Sequence, residues 1–180
     1  STMESCFFSI SISTSSHSQI TSSAVYNATE GYQLLACTCI KVVNCSAYNI
    51  VRSGIYLGQT SNSQTIDCYV YNSQYGINLR GSCENLIMNC DINNNYYGIY
   101  LNSSSYNQIY HNNFVNNLML GAYDDGINYW DDGIHGNCWD DYAGSDENGD
   151  GVGDTPYTIY GGSNQDRYPV MRQNGWLLYN

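Results

Sequence analysis

The sequence predicts an all-β chain wound as a parallel β-helix, a solenoid of about 22 residues per turn with a loop-rich C-terminal cap. Three observations carry this reading. The tetrapeptides Gly54-Ile55-Tyr56-Leu57, Gly76-Ile77-Asn78-Leu79 and Gly98-Ile99-Tyr100-Leu101 recur 22 residues apart, and Gly31-Tyr32-Gln33-Leu34 stands 23 residues before the first of them. Columns counted from each glycine keep their chemistry: Tyr32, Ile55, Ile77 and Ile99 one step on, Leu34, Leu57, Leu79 and Leu101 three steps on, Ala47, Val70, Ile92 and Phe114 sixteen steps on. Apolar residues alternate with the strand period of two, and no 3.6-residue stripe marks a helix. A unit this short cannot bury its apolar face alone, whereas copies stacked about 4.8 Å apart can. A leucine-rich repeat has a similar period, but no unit shows its L-x-x-L-x-L pattern with a helical return.

Residues 1–30 are expected to form an N-terminal strand segment and first turn, because Phe7-Phe8-Ser9-Ile10-Ser11-Ile12 alternates like a strand. Residues 31–120 form the repeats, starting at Gly31, Gly54, Gly76 and Gly98. Within them the column Asn49, Asn72, Asn94 and Asn116 is expected at a bend, its amides bonding to those above and below and satisfying groups otherwise buried unpaired. Residues 121–180, with Trp130, Trp139 and Trp176, are expected to cap the coil and protect its last strand edges.

The repeats, together with Asn128-Tyr129-Trp130-Asp131, Gly136-Asn137-Cys138-Trp139-Asp140-Asp141-Tyr142, Thr155-Pro156-Tyr157 and Asp166-Arg167-Tyr168-Pro169, resemble the NosD-like, CASH-domain family of right-handed β-helix proteins. The likeness covers roughly residues 31–172 and departs at Cys138, where such relatives usually carry an aromatic residue. It implies a right-handed coil and, since the family includes many archaeal surface proteins, a place at the cell surface.

Eight cysteines and the sequons at Asn27, Asn44 and Asn102 favour an oxidising, extracytoplasmic setting, with glycosylation candidates at those asparagines. No basic and apolar leader precedes Ser1, so the chain is read as mature. Cys45, Cys68 and Cys90, with Asn112 next in the column, are expected to stack inward, either as free buried thiols or as disulfides. Cys37, Cys39 and Cys83 complete the candidates within the repeats; Cys37-x-Cys39 is half a zinc motif without a second half. Cys6 and Cys138, expected near opposite ends of the coil, point to pairing across subunits. The segment 146–154 predicts a calcium site, with Asp146, Asn148, Asp150 and Asp154 giving side-chain oxygens and Val152 a carbonyl around a turn at Gly151. Tyr157 stands where an EF-hand has its bidentate glutamate.

Five Lys and Arg against sixteen Asp and Glu give a net charge of −11, which excludes binding to a phosphate backbone and repels anionic glycans. No apolar run approaches the ~20 residues of a membrane span. Copper would want clustered His, Met or Cys, and His17, His111 and His135 are far apart in sequence. Lys41, Arg52, Arg80, Arg167 and Arg172 are scattered, and the pairs Asp124-Asp125, Asp131-Asp132 and Asp140-Asp141 lie in the terminal block, so no base-and-carboxylate set for a lyase or glycosidase stands out. These features predict a non-enzymatic structural subunit of an extracellular lattice, sheath or filament, self-associating and stabilised by calcium and disulfides. The alternative is a glycan-binding module using Tyr56, Tyr69 and Tyr100, or a polysaccharide-processing β-helix protein.

Overall fold

The structure, a computed structural model, describes residues 9–178. Cys6, Phe7 and Phe8, and the expectations attached to them, lie outside the described residues. The chain winds into a parallel β-solenoid of about six turns, with no α-helix among the described residues.

Three walls run along the coil. The first stacks Ile10–Ser13, Tyr32–Leu35, the C-terminal halves of Ser46–Gly58 and Tyr69–Arg80, then Tyr97–Asn102 and Leu120–Asp124. The second stacks Gln19–Thr21, Lys41–Val43, Gln64–Ile66, Leu86–Met88 and Gln108–Tyr110. The third begins at Ala24–Tyr26, passes through the N-terminal halves of the two long strands, and continues as Asp91–Asn93, Asn113–Val115 and Cys138–Trp139.

The register places the repeat columns as the periodicity requires. Tyr32, Ile55, Ile77, Ile99 and Ala122 pair in sequence, as do Leu34, Leu57, Leu79, Leu101 and Asp124. On the third wall Val25, Ala47, Val70, Ile92, Phe114 and Trp139 do the same. All of these are buried, and they meet inside the coil as one core. The second wall adds Ile20, Val42, Thr65, Ile87 and Ile109, a column missed in sequence because Thr65 interrupts it.

Four positive-φ corners join the walls in each of the first five turns, and in the second to fourth turns every one stands immediately before a buried residue. In the third turn the positive-φ residues are Gln59, Asn62, Asp67 and Asn72; in the fifth they are Ser103, Tyr106, His111 and Asn116. The left-handed region suits Asn, Asp and Gly, which explains the polar composition of the corners. The repeat glycines have a different cause. A Cβ on Gly31, Gly54, Gly76 or Gly98 would stand 2.1, 2.8, 2.5 or 2.3 Å from the carbonyl oxygen of the next glycine in the column. Neighbouring turns approach so closely there that only hydrogen fits.

The expected asparagine column is real but sits one residue away from the buried ladder. Asn49, Asn72, Asn94 and Asn116 are the exposed positive-φ residues, with Asn72 donating to Asn49 and Asn49 to Asn27 across the surface. The groups that need internal partners are met by the residues just after corners. Ser63 N–H donates to Asn85 Oδ1, Asn85 N–H to Asn107 and Asn107 N–H to Asn128, each at 2.9–3.0 Å. A second buried ladder runs Cys90, Asn112, Asn137, and a third Ser73, Asn95, Asn117.

The coil continues past residue 120, through Leu120–Asp124 and Cys138–Trp139, before the loops close it. Trp139 extends the third-wall column by stacking on Phe114 at 4.1 Å, and Tyr157 stacks on Trp139 at 4.2 Å. Two buried aspartates end the polar ladders. Asp124 accepts from Asn128 Nδ2, Trp130 Nε1 and Asn164 Nδ2; Asp166 accepts from the Asn137 N–H and Trp139 Nε1. A carboxylate acceptor satisfies the last donor of each stack without requiring another turn.

Candidate functional site

Sequence reasoning grouped Tyr56, Tyr69 and Tyr100, and the coil divides them. Tyr56 and Tyr100 point outward from the first wall with Tyr75 and line a groove of about 650 Å³ along the coil axis. Glu30, Arg52, Gln74, Asn78, Arg80 and Asn102 also line it. Tyr69 lies on the third wall beside Tyr71, in a separate surface stack of Tyr26, Tyr48 and Tyr71 with centroids 5.0–5.1 Å apart. Tyr75 and Tyr97 were missed because they precede the repeat glycines, outside the columns followed in sequence.

In the groove Tyr75 stacks on Tyr97 at 5.3 Å and meets Tyr100 edge-on at 5.2 Å, while Tyr100 stacks on Tyr123 at 4.6 Å. Burial, followed by the neighbouring Tyr123, Tyr75 and Tyr97, pushes the Tyr100 hydroxyl above its usual pKa, so it remains a neutral hydrogen-bonding group. Arg52 pairs with Glu30 at 3.3 Å, and Glu30 also accepts from Ser53 N–H. The wall offers aromatic faces, amides and one held ion pair, with Glu30 the single carboxylate among its lining residues.

The predicted calcium residues occupy an exposed loop that folds on its own side chains. Asp146 accepts N–H bonds from Gly149, Asp150 and Gly151, Asp150 accepts from Val152 N–H, Asn148 Nδ2 donates to Asp150, and Asp154 accepts from Glu147 N–H. The described cysteines are free thiols: Cys37, Cys45, Cys68, Cys90 and Cys138 are buried, Cys39 and Cys83 half-buried. Cys45, Cys68 and Cys90 stack inward as expected, but unbridged; each Sγ contacts the carbonyl of the residue two before it at 3.3 Å. Hydrogen bonding from Cys68, then burial, raises the Cys45 pKa, and burial raises Cys138 to about 11, so these thiols stay protonated. Asn27 and Asn44 are exposed, and half-buried Asn102 donates to Asp125.

The histidines require a correction. His17 lies on the first turn, but the coil and its first cap loop bring His111 and His135 together with Asp132, their ligand-capable atoms all within 4.8 Å of one another. Among the described residues this is the single such group of three or more His, Cys, Asp or Glu. Burial holds His111 below its ordinary pKa despite Asp132. Burial pushes Asp132 upward, but the N–H groups of His135 and Ile134 and the two histidines outweigh it and hold the carboxyl low. Sequence separation concealed the group because residues 111 and 135 lie about one turn apart.

A polar-laddered parallel β-solenoid with an aspartate–tryptophan cap defines the class. The family model for NosD, described as periplasmic copper-binding protein, matches residues 1–144, and the chain belongs to this family. No curated protein matches it. No helix among the described residues is long and apolar enough to cross a membrane. His111, Asp132 and His135 together offer two imidazole nitrogens and one carboxylate oxygen, donors of the kind borderline divalent metals accept.

Proposed function

We propose that this chain is an extracytoplasmic β-helix module that holds a neutral carbohydrate chain along the groove of Tyr56, Tyr75 and Tyr100 without cleaving it. The observation that carries the reading is the groove itself. Tyrosine faces offer apolar contact to the C–H faces of sugar rings, while Gln74, Asn78 and Asn102 offer donors and acceptors to hydroxyl groups. The periplasmic description of the matched family supports a place on the envelope side. The single lining carboxylate supports a binding role rather than hydrolysis in this reading, since a glycosidase works with two. Affinity electrophoresis or calorimetry against a panel of neutral oligosaccharides tests this. Tyr75→Ala and Tyr100→Ala should each weaken retention about tenfold, while Tyr26→Ala on the other wall should leave it unchanged. Equal effects from all three would refute the groove.

The second reading is a self-associating structural subunit of a surface lattice or sheath. It is favoured by the first turn, where Ile10–Ser13, Gln19–Thr21 and Ala24–Tyr26 each pair on one side only among the described residues. Such an edge accepts another strand, whether from a second copy or from further turns. Calcium at Asp146, Asn148, Asp150, Val152 and Asp154 would tighten the cap in either reading, a role supported by the ligand spacing and tested by a fall in melting temperature on chelation. Half-buried Cys39 and Cys83 are better placed than buried Cys138 for bonds between subunits. Light scattering under oxidising and reducing conditions separates the two readings.

A further inference from the structure

We propose that His111, Asp132 and His135 form a site for one divalent transition ion of the zinc and copper class, bound through two imidazole nitrogens and one carboxylate oxygen. The argument begins with a break in the repeat. The positive-φ corner between the second and third walls is Asn44, Asp67 and Asn89 in successive turns, then His111 with φ 58°. Histidine tolerates that backbone as asparagine and aspartate do, as His17 with φ 56° shows, so the exchange adds a metal-ligating ring without disturbing the corner.

The surroundings orient the three groups. His111 N–H donates to Gly136 O at 2.9 Å, tying the corner to the loop that carries the other two residues. Trp176 stacks on the His111 ring, with centroids 5.2 Å apart and planes 7° from parallel. Asp132 Oδ1 accepts N–H bonds from Ile134 at 2.8 Å and His135 at 2.7 Å, which fixes the carboxylate and leaves Oδ2 turned to the cluster. His111 Nε2 lies 3.2 Å from that Oδ2. That ion-pair contact aside, Nε2 is a buried polar atom without a hydrogen-bond partner. An ion between the two atoms satisfies both, and backbone support of this kind is what holds metal ligands in place.

The donor set selects the ion. Calcium takes six to eight oxygens, whereas imidazole suits zinc and copper, and the exposed side of Asp132 leaves room for a water or a fourth ligand. The calcium loop contributes no residue to the group, and neither do the thiols.

Calorimetric titration of the chelator-stripped full chain with ZnCl2 and with CuCl2 tests the proposal, with electron paramagnetic resonance on the copper form. The expected result is one ion per chain, two coordinated nitrogens in the copper spectrum, and at least tenfold weaker binding in His111→Asn and in Asp132→Asn. His111→Asn installs the residue that the coil already uses at positions 44 and 89, so circular dichroism should show an intact fold. Asp132→Asn is the second variant, on an exposed side chain. Wild-type affinity in both variants, a sulfur-ligated copper spectrum, absence of stoichiometric binding, or displacement of the ion by millimolar calcium would each overturn the site.

Discussion

The second and fifth turns of the coil share one backbone path and fill its corners with different chemistry. The residues that follow the bends are Cys37, Ile40, Cys45 and Ile50 in the second turn, and Ser104, Asn107, Asn112 and Asn117 in the fifth, all buried except half-buried Asn117. Asn112 shows what the exchange achieves. Its Oδ1 accepts the Cys90 N–H from the turn before; its Nδ2 donates to Ile87 O, Tyr110 O and Asn137 Oδ1. One side chain therefore links three turns. A thiol in the same column, such as Cys68, reaches Val42 O and Ile66 O at 3.5 and 3.3 Å but is a weak acceptor for a corner N–H. One end of the solenoid is thus held more by apolar burial and the other by a polar network that finishes in Asp124 and Asp166. The network end is the stiffer and the less forgiving, because removing one member strands its partners in a dry interior.

That difference predicts the largest effect. Asn112→Ala takes the side-chain partner from the Cys90 N–H and the Ile87 carbonyl, opens a small cavity, and should cost about 4 kcal/mol in urea unfolding, where each buried unsatisfied group costs about 1–3 kcal/mol. Cys68→Ala, two column positions toward the sulfur end, should cost only about 1–2 kcal/mol through the small cavity it leaves. Equal losses would mean that the amides add nothing beyond packing. Between these limits stands Ile77→Ala, in the middle of an apolar column with Ile55 and Ile99 on either side, expected to cost about 2–4 kcal/mol.

The ordering of these three substitutions also marks what the sequence made legible. Ile77 was readable because glycine, isoleucine and leucine recur with one spacing, and alternation assigns them to one face. Asn112 was noticed only as the end of a cysteine column. Asparagine, serine and threonine usually signal surface, and burial at a corner depends on backbone N–H groups that no composition reveals. The exposed Asn72 and the buried Ser73 differ by one residue, finer than a pattern without known bends can resolve. The cap was legible as aromatic and acidic, but the partnership of Trp130 with Asp124 and Trp139 with Asp166 was not, since Trp139 and Asp166 meet only when the loops fold back. The His111, Asp132 and His135 cluster failed for the related reason that contact follows the turn, not the sequence interval.

A smaller, pH-dependent effect tests how the network ends. Burial pushes the Asp166 carboxyl up to about 7, although donors from Asn137, Trp139 and Tyr168 pull against that rise. Between about pH 4 and 7 the native state therefore keeps a proton that the unfolded chain, with a carboxyl near 3.9, has already released. Unfolding free energy should fall as pH rises through this window and level off above it. Asp166→Asn should flatten that slope relative to wild type, measured as melting temperature from pH 4.5 to 8. An unchanged slope would assign the dependence to the general repulsion of a chain with net charge −11.

The smallest expected change extends the amide ladder by one turn. Cys90 lies directly between Cys68 and Asn112, and its own N–H already donates to Asn112 Oδ1. In Cys90→Asn the new Oδ1 would face the Cys68 N–H, and the new Nδ2 would face Thr65 O, which the Cys90 thiol now contacts at 3.6 Å. The same arrangement holds one turn on, where Asn112 occupies the corner, so the backbone needs no adjustment. Added bonds and the modest increase in side-chain size act in opposite directions, and stability should change by less than about 1 kcal/mol. Cys90→Leu, branched like asparagine but bulkier and unable to bond, should instead lose about 2 kcal/mol or more. If both variants are equally destabilised, the sulfur end is a packed core that resists any larger residue, and the two ends differ in shape as well as in hydrogen bonding.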